Sequence, residues 1–221
     1  MKFDEYDADD WFMRNEKSLT GQMSDPPFQV MSGLIGPYIT DNMNVLEIGC
    51  SNGARLNQLN RLYPAKYYGV DLSSVAINHG KRLFGEIELS IQNAGSLEFE
   101  NSYFDLVILG FFLYLVDRQD YNKIVAEASR VLKVGGYLGI LDFDVPHPYN
   151  NIYAHNTKLK AYKCDNSEAF IATRQYTLIE KKTFSHEKST FVPEIDDRIS
   201  FQVLHKECSM SNSKGNNNVQ K

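Results

Sequence analysis

The chain has 221 residues, and its 23 Lys and Arg against 28 Asp and Glu give a formal net charge of −5, which weighs against the basic face that nucleic-acid binders usually carry. Such a length supports one large domain with its own core, without disulfide staples. Cys50, Cys164 and Cys208 form neither an even framework nor a C-x-x-C pair, no run approaches ~20 apolar residues, and Met1-Lys2-Phe3-Asp4-Glu5-Tyr6 is acidic rather than basic-then-apolar, so the expectation is a soluble cytoplasmic protein with reduced thiols, no signal peptide and no membrane span.

Residues 1–40 read as an N-terminal helical cap. Asp9-Asp10-Trp11-Phe12-Met13-Arg14-Asn15-Glu16-Lys17 sets acids ahead of an aromatic pair, the order of a short amphipathic helix. Asp25-Pro26-Pro27 breaks the chain and starts a second helical piece, Phe28 to Tyr38, with Phe28, Met31, Leu34 and Ile35 on one face. Trp11, Phe12 and Met31 are each expected to pack on the sheet, and Arg14 either holds an anion in the cap or is solvated.

The centre of the chain is Val45-Leu46-Glu47-Ile48-Gly49-Cys50-Ser51-Asn52-Gly53, which leads into Ala54 to Leu59. An apolar strand runs into a glycine-bearing turn and then a helix. Glycines there permit positive φ and leave backbone N–H groups bare at a helix N-terminus. Glu47 stands where the first glycine of G-x-G-x-x-G would be and no Lys follows Gly53, so neither phosphate-cradling motif is present. A carboxylate beside the turn repels a pyrophosphate and attracts a cation, which points to a nucleoside carrying positive charge.

The chain then alternates helix and strand. Tyr67 to Asp71, Ile87 to Ile91, Phe104 to Leu109 and Tyr137 to Leu141 read as strands, and Gln119 to Leu132 as a helix ended by Gly135-Gly136. This alternation predicts a parallel sheet with helices on both faces and a ligand at the carboxyl ends of the strands. His147 to His155 and Tyr162 to Asp165 are polar, aromatic loops at that edge. Phe170-Ile171-Ala172 with Tyr176 to Lys181, and Arg198 to Lys206, read as two closing strands, and residues 209–221 as a disordered tail.

E-x-G-x-x-x-G after the first strand resembles motif I of class I S-adenosylmethionine-dependent methyltransferases. Tyr67 to Ser73, Phe104 to Leu109 and Leu132 to Ile140 resemble later landmarks of that family in the same order, over about residues 40–145. The resemblance implies a doubly wound α/β domain over residues 41–208, with a mainly parallel seven-stranded sheet, an antiparallel last strand and a substrate-side insert at about 146–168. It implies S-adenosylmethionine as cofactor and S-adenosylhomocysteine as product. The implied cofactor residues are Glu47 near the methionyl amino end; Gly49, Cys50, Ser51 and Gly53 in the turn; and Asp71 with Leu72 at the ribose. Asn93 and Ala94 would meet adenine, and Gly110 and Phe111 would flank methionine. Asn93 departs from the family's Asp but still offers an acceptor oxygen. Phe112 and Leu113 read as core, while Tyr114 is assigned to adenine or substrate.

Asp25-Pro26-Pro27-Phe28 matches the D-P-P-Y/F signature of adenine and cytosine amino-methyltransferases, yet no buried strand precedes it, so it reads as a helix start. Asp142, Asp144, His147 and His155 are candidates for a metal or a general base; His147 is the first choice of base, and no metal is assigned. The expected reaction is methyl transfer to a small-molecule acceptor, a hydroxyl of a sugar or other metabolite being favoured. The alternatives are a nucleic-acid or protein methyltransferase using Lys158, Lys160, Lys163, Lys181, Lys182 and Lys188, or a non-catalytic nucleoside-binding module. The oligomeric state is open, a homodimer included.

Overall fold

A computed structural model describes residues 2–19 and 25–208, so the expected tail at 209–221 lies outside the described residues. The N-terminal cap comprises α1 (Glu5–Asn15), a 3-10 turn (Glu16–Leu19), α2 (Pro26–Ile35) and a second 3-10 turn (Gly36–Tyr38). Asp4 starts α1 in a reciprocal capping box with Asp7, and the Asp25 side chain accepts the Phe28 N–H to start α2, with prolines at its first positions. The Asp-Pro-Pro segment is therefore a helix cap.

The strands that follow are β1 (Asn44–Ile48), β2 (Lys66–Asp71), β3 (Glu88–Ile91), β4 (Phe104–Gly110) and β5 (Leu132–Phe143), separated by α3 (Ala54–Leu62), α4 (Ser74–Leu83) and α5 (Arg118–Val131). A short hairpin, β6 (Tyr149–Ile152) with β7 (Lys160–Lys163), occupies the insert. It leads through α6 (Ser167–Ile171) to β8 (Tyr176–Ser185) and β9 (Arg198–Lys206). The seven-stranded sheet has the order β3-β2-β1-β4-β5-β9-β8. β1 to β5 are parallel and β9 is antiparallel to both neighbours, so β8 again runs with β5 and ends at the same edge.

Period-two alternation divides the buried residues between two layers. Val45, Leu106, Ile108, Leu141, Phe201 and Val203 pack with Phe28, Met31 and Leu56 on one face. Leu46, Ile48, Val107, Leu109, Leu138 and Ile140 pack with Ile124, Ala128 and Val131 on the other. The second and fifth strands extend beyond their expected bounds, and two local expectations change. The helix α5 ends with Leu132 in an extended cap, and Gly135, at φ +80°, lies inside the bulged start of β5 instead of terminating the helix. Phe170 belongs to the short helix α6, since its fully buried ring packs edge-on against Tyr176.

Two polar clusters hold the carboxyl edge. Asp142, 2 % exposed at the end of β5, accepts N–H bonds from Phe143 at 2.7 Å and Tyr114 at 3.3 Å, fixing the turn that follows β4. Arg118 Nη2 donates to the Leu113 carbonyl at 2.8 Å and holds the same turn from the α5 side. Further along, Lys181 Nζ bridges Asp144 and Asp165 at 2.8 Å each; Thr183 also donates to Asp144, and Gln202 to Asp165. Burial would raise the Asp165 carboxyl, but Lys181, Ser167 and Gln202 hold it below its ordinary value.

Lys181→Met leaves Asp144 largely buried with one neutral donor. Because the lysine is partly accessible, the expected loss is about 2 kcal/mol rather than the full cost of a buried orphan charge, read as a 4–8 °C fall in Tm on the scale of ~2–4 °C per kcal/mol. Adding Asp144→Asn recovers part of it. A second prediction concerns pH. Burial pushes Asp142 up to about 7 against its backbone donors and Arg118, so between pH ~4 and ~7 the folded chain holds a proton that the unfolded chain has lost. That contribution to stability falls as pH rises through this window, by up to about 1.4 kcal/mol per unit, and is flat above it. Urea titrations from pH 5 to 8 should show the fall in wild type and its absence in Asp142→Asn.

Candidate functional site

A cavity of about 410 Å³ lies at the carboxyl ends of β1, β2, β3 and β4, within the range of small-molecule sites. Its floor is the turn after β1. Gly49, at φ +74°, directs its own N–H and that of Cys50 to the Val70 carbonyl at 2.9 and 3.1 Å, folding the turn over β2. Ser51 takes φ +52°, a conformation glycine adopts with less strain, and donates its N–H to Asp71 Oδ2 at 2.7 Å. Buried Asn52 accepts the Ala54 N–H at 3.1 Å and donates to the Leu19 carbonyl at 3.2 Å, linking the turn to the cap.

Asp71 lines the cavity at the end of β2, with Asp117 and Asp120 as further acids of its wall. The other oxygen of Asp71 accepts the Ser73 N–H at 2.9 Å, so each carboxylate oxygen has one backbone donor and a further lone pair free of those bonds. Burial raises its pKa, and the Ser73, Ser51 and Leu72 N–H groups oppose the rise. Leu72, Asn93, Ala94, Gly110 and Phe111 line the same space. Asn93 Oδ1 already accepts the Gly95 N–H at 2.8 Å, so one acceptor position is used within its own turn. Phe111, at φ +25°, is held by its N–H to the Leu141 carbonyl at 2.9 Å; bulky residues rarely adopt that conformation outside constrained sites.

The cap closes one wall through Phe3, Ala8 and Trp11. Asp9 accepts from Ser73 Oγ at 2.6 Å and Val75 N–H at 3.2 Å, while Asp7 accepts from Asn156 at 2.8 Å in the insert. Phe12 and Met31 are buried as expected. Trp11 instead faces the cavity, and Phe112 both lines it and packs on the core. Exposed Arg14 donates to the Tyr153 hydroxyl at 3.3 Å.

Glu47, Gly53, His147 and the buried Tyr114 lie outside the cavity lining. Glu47 shares the face of Val45, opposite Leu46 and Ile48, and therefore points beneath α3, where it is 1 % exposed and paired with Arg55 Nη1 at 2.5 Å. Burial raises its pKa, Arg55 lowers it and Asp71 raises it again. Gly53, at φ +77°, begins α3; a Cβ there would come within 2.8 Å of Ile87 and Leu89 side-chain carbons, so this glycine serves helix–sheet packing. His147 is exposed on the loop after β5. Asp142 and Asp144 are committed to the separate clusters described above, and no group of three metal-ligating side chains exists among the described residues.

The sequence reading did not single out Arg55, which reaches the cavity wall while neutralising Glu47. Its spacing from Glu47 was the available signal, since the first turns of a helix after a strand lie over that strand's end. His186 was also missed. It follows β8 directly, and its ring stands edge-on to Phe111 at 4.7 Å between centroids.

This donor set fits an S-adenosyl nucleoside. A carboxylate with spare lone pairs, able to accept a diol, lies at the end of β2, glycine-bearing backbone lines the turns after β1 and β4, and Arg55 Nε and Glu47 Oε2 are buried without a hydrogen-bond partner beneath. Residues 45–136 match the methyltransferase-domain family. A fatty-acid O-methyltransferase of Mycolicibacterium smegmatis is 34% identical over 113 residues, covering 48% of this chain and 40% of the relative, so the chain spans less than half the length of that curated relative. An S-adenosylmethionine-dependent methyltransferase of Methanosarcina mazei superposes with a TM-score of 0.63 at 20% identity, over 79% of this chain and 97% of that one. The 1,6-didemethyltoxoflavin-N1-methyltransferase of Burkholderia thailandensis, solved with S-adenosylhomocysteine, gives 0.63 at 16% identity, over 92% and 84%. Residues 45–136 are thus similar to the methyltransferase-domain family, and the sheet order with its antiparallel β9 is that of the Rossmann-like methyltransferase fold.

Proposed function

We propose that the chain transfers the methyl group of S-adenosylmethionine to a hydroxyl of a small-molecule acceptor. The observation that carries this reading is Asp71, whose two oxygens are each oriented by one backbone N–H while facing the cavity. When bound, S-adenosylmethionine supplies an electrophilic methyl group on a sulfonium, and the protein's task is to align it with the acceptor and exclude water. Asp71 accepts both ribose hydroxyls. Leu72, Asn93 and Ala94 border adenine, with the Ala94 N–H as donor. Gly49, Cys50, Ser51, Gly110 and Phe111 surround the methionyl part, where Arg55 pairs with its carboxylate and Glu47 balances Arg55 from beneath.

The Mycolicibacterium smegmatis relative acts on fatty acids by O-methylation, which favours an oxygen acceptor of small size. The rival with a nucleic-acid or protein substrate is weakened because Lys163 is bonded to Asp196, and Lys181 to Asp144 and Asp165, which removes two cations from the required patch.

Calorimetry with S-adenosylmethionine and S-adenosylhomocysteine tests the reading. Wild type should bind both with micromolar Kd, and Asp71→Ala should lose about 2 kcal/mol, near 30-fold, as two charge-assisted hydrogen bonds disappear. Failure of folded wild type to bind either nucleoside would overturn the proposal.

A further inference from the structure

We propose that His186 is the base that takes the proton from an uncharged hydroxyl acceptor as its oxygen is methylated, an assignment that rests on the methyl-transfer reading above. The topology brings it there. β8 runs parallel to β4 and β5, so Ser185 ends at the edge where Gly110 and Phe143 also end. His186 turns back from that end to place its ring edge-on to Phe111, with centroids 4.7 Å apart and planes at 86°. Phe111 is itself part of the cavity wall and meets the Phe143 ring at 5.2 Å with the planes tilted by 51°, so the imidazole packs against that wall on the side of β5 and β8.

The residue is exposed overall, though neighbouring protein still costs the charged imidazole part of its hydration. That loss of hydration lowers its pKa; Asp25 at the start of α2 acts to raise it, Arg55 on α3 to lower it and Asp197 before β9 to raise it. The imidazole is therefore largely neutral near pH 7, the form that accepts a proton. His147, His155 and His186 are all exposed and outside the cavity lining, and His186 is set apart by its ring contact with Phe111 of the cavity wall.

Two acids, Asp25 and Asp197, and one cation, Arg55, act on His186. The role of base selects the acceptor. A carboxylate acceptor, already ionised near pH 7, has no proton to give and so does not need this base. In the step, a lone pair of the hydroxyl oxygen forms the bond to the methyl carbon, and the carbon–sulfur bond breaks with its electrons passing to sulfur. The hydroxyl proton moves to a ring nitrogen of His186 and then to water, so that alcohol and sulfonium yield ether, thioether and one proton.

The test uses the full chain, wild type and His186→Gln, with isotopically labelled S-adenosylmethionine and a probe panel of catechol, 4-nitrophenol, a methyl glucoside, decanol and decanoic acid. In parallel, NMR titration of 13C-labelled histidine reads the His186 pKa, and calorimetry reads S-adenosylhomocysteine affinity. Support requires transfer to at least one hydroxyl probe, with kcat/KM rising with pH to a plateau at the NMR pKa, below the ordinary histidine value. His186→Gln should lose 100-fold or more in kcat/KM and lose that pH step, while its S-adenosylhomocysteine affinity stays within about twofold. Nucleoside binding with transfer only to decanoic acid, or with no transfer to any hydroxyl, overturns the assignment and leaves the cofactor reading standing, as does a variant that keeps its rate and pH profile. Absence of nucleoside binding overturns the methyl-transfer reading and His186's role with it.

Discussion

The site depends on one carboxylate. Asp71 receives the Ser51 N–H with one oxygen and the Ser73 N–H with the other, so a single side chain fixes the turn after β1 and the turn after β2 against each other. Ser73 then caps α4 by accepting the Ala76 N–H at 3.0 Å and donates its hydroxyl to Asp9 of the cap at 2.6 Å. A line of short polar contacts thus runs from the sheet edge to the lid. Backbone N–H groups do not rotate away as side chains do, so the carboxylate is oriented before any ligand arrives, and less ordering is left to the binding step.

A second constraint lies under the same turn. Glu47 is buried by strand alternation, and a buried carboxylate without a partner is costly, so Arg55 is drawn down at the cost of its own solvation. Glu47 Oε2 and Arg55 Nε remain buried without hydrogen-bond partners. Orphaned polar atoms of this kind are rare in native interiors, and here they flank the end of the cavity where the proposed ligand carries both an ammonium and a carboxylate.

The outer wall is built from segments distant in the chain. The Tyr114 ring stands edge-on to Tyr153 in the insert at 6.2 Å between centroids, and burial raises its hydroxyl pKa well beyond the usual phenol range. Arg14 donates to Tyr153, and Asn156 to Asp7. The cap and the hairpin β6–β7 therefore hold each other across the turn after β4, with Leu115, Leu159 and Ala161 buried between them. Lys163 completes the hairpin's anchorage through its ammonium over the Phe143 ring at 4.2 Å and its bond to Asp196.

The sequence by itself determined the alternating strands and helices, the parallel sheet, the turn at Gly49–Gly53 and the acid at Asp71, because these follow from local periodicity, glycine placement and spacing between neighbouring segments. It also marked Asp25-Pro26-Pro27 as a helix start, since a capping carboxylate and prolines in the first turn act within four residues. The tertiary structure decided which way Glu47 and Gly53 face, that Trp11 meets the cavity while Phe12 does not, and that His186 rather than His147 stands beside Phe111. Those outcomes depend on the antiparallel insertion of β9, which sends the end of β8 back to the active edge, and on helix positions over the sheet. Contacts between residues 75 or 139 positions apart, such as Phe111 with His186 or Arg14 with Tyr153, carry no signature in local composition, because what brings them together is the packing of whole elements.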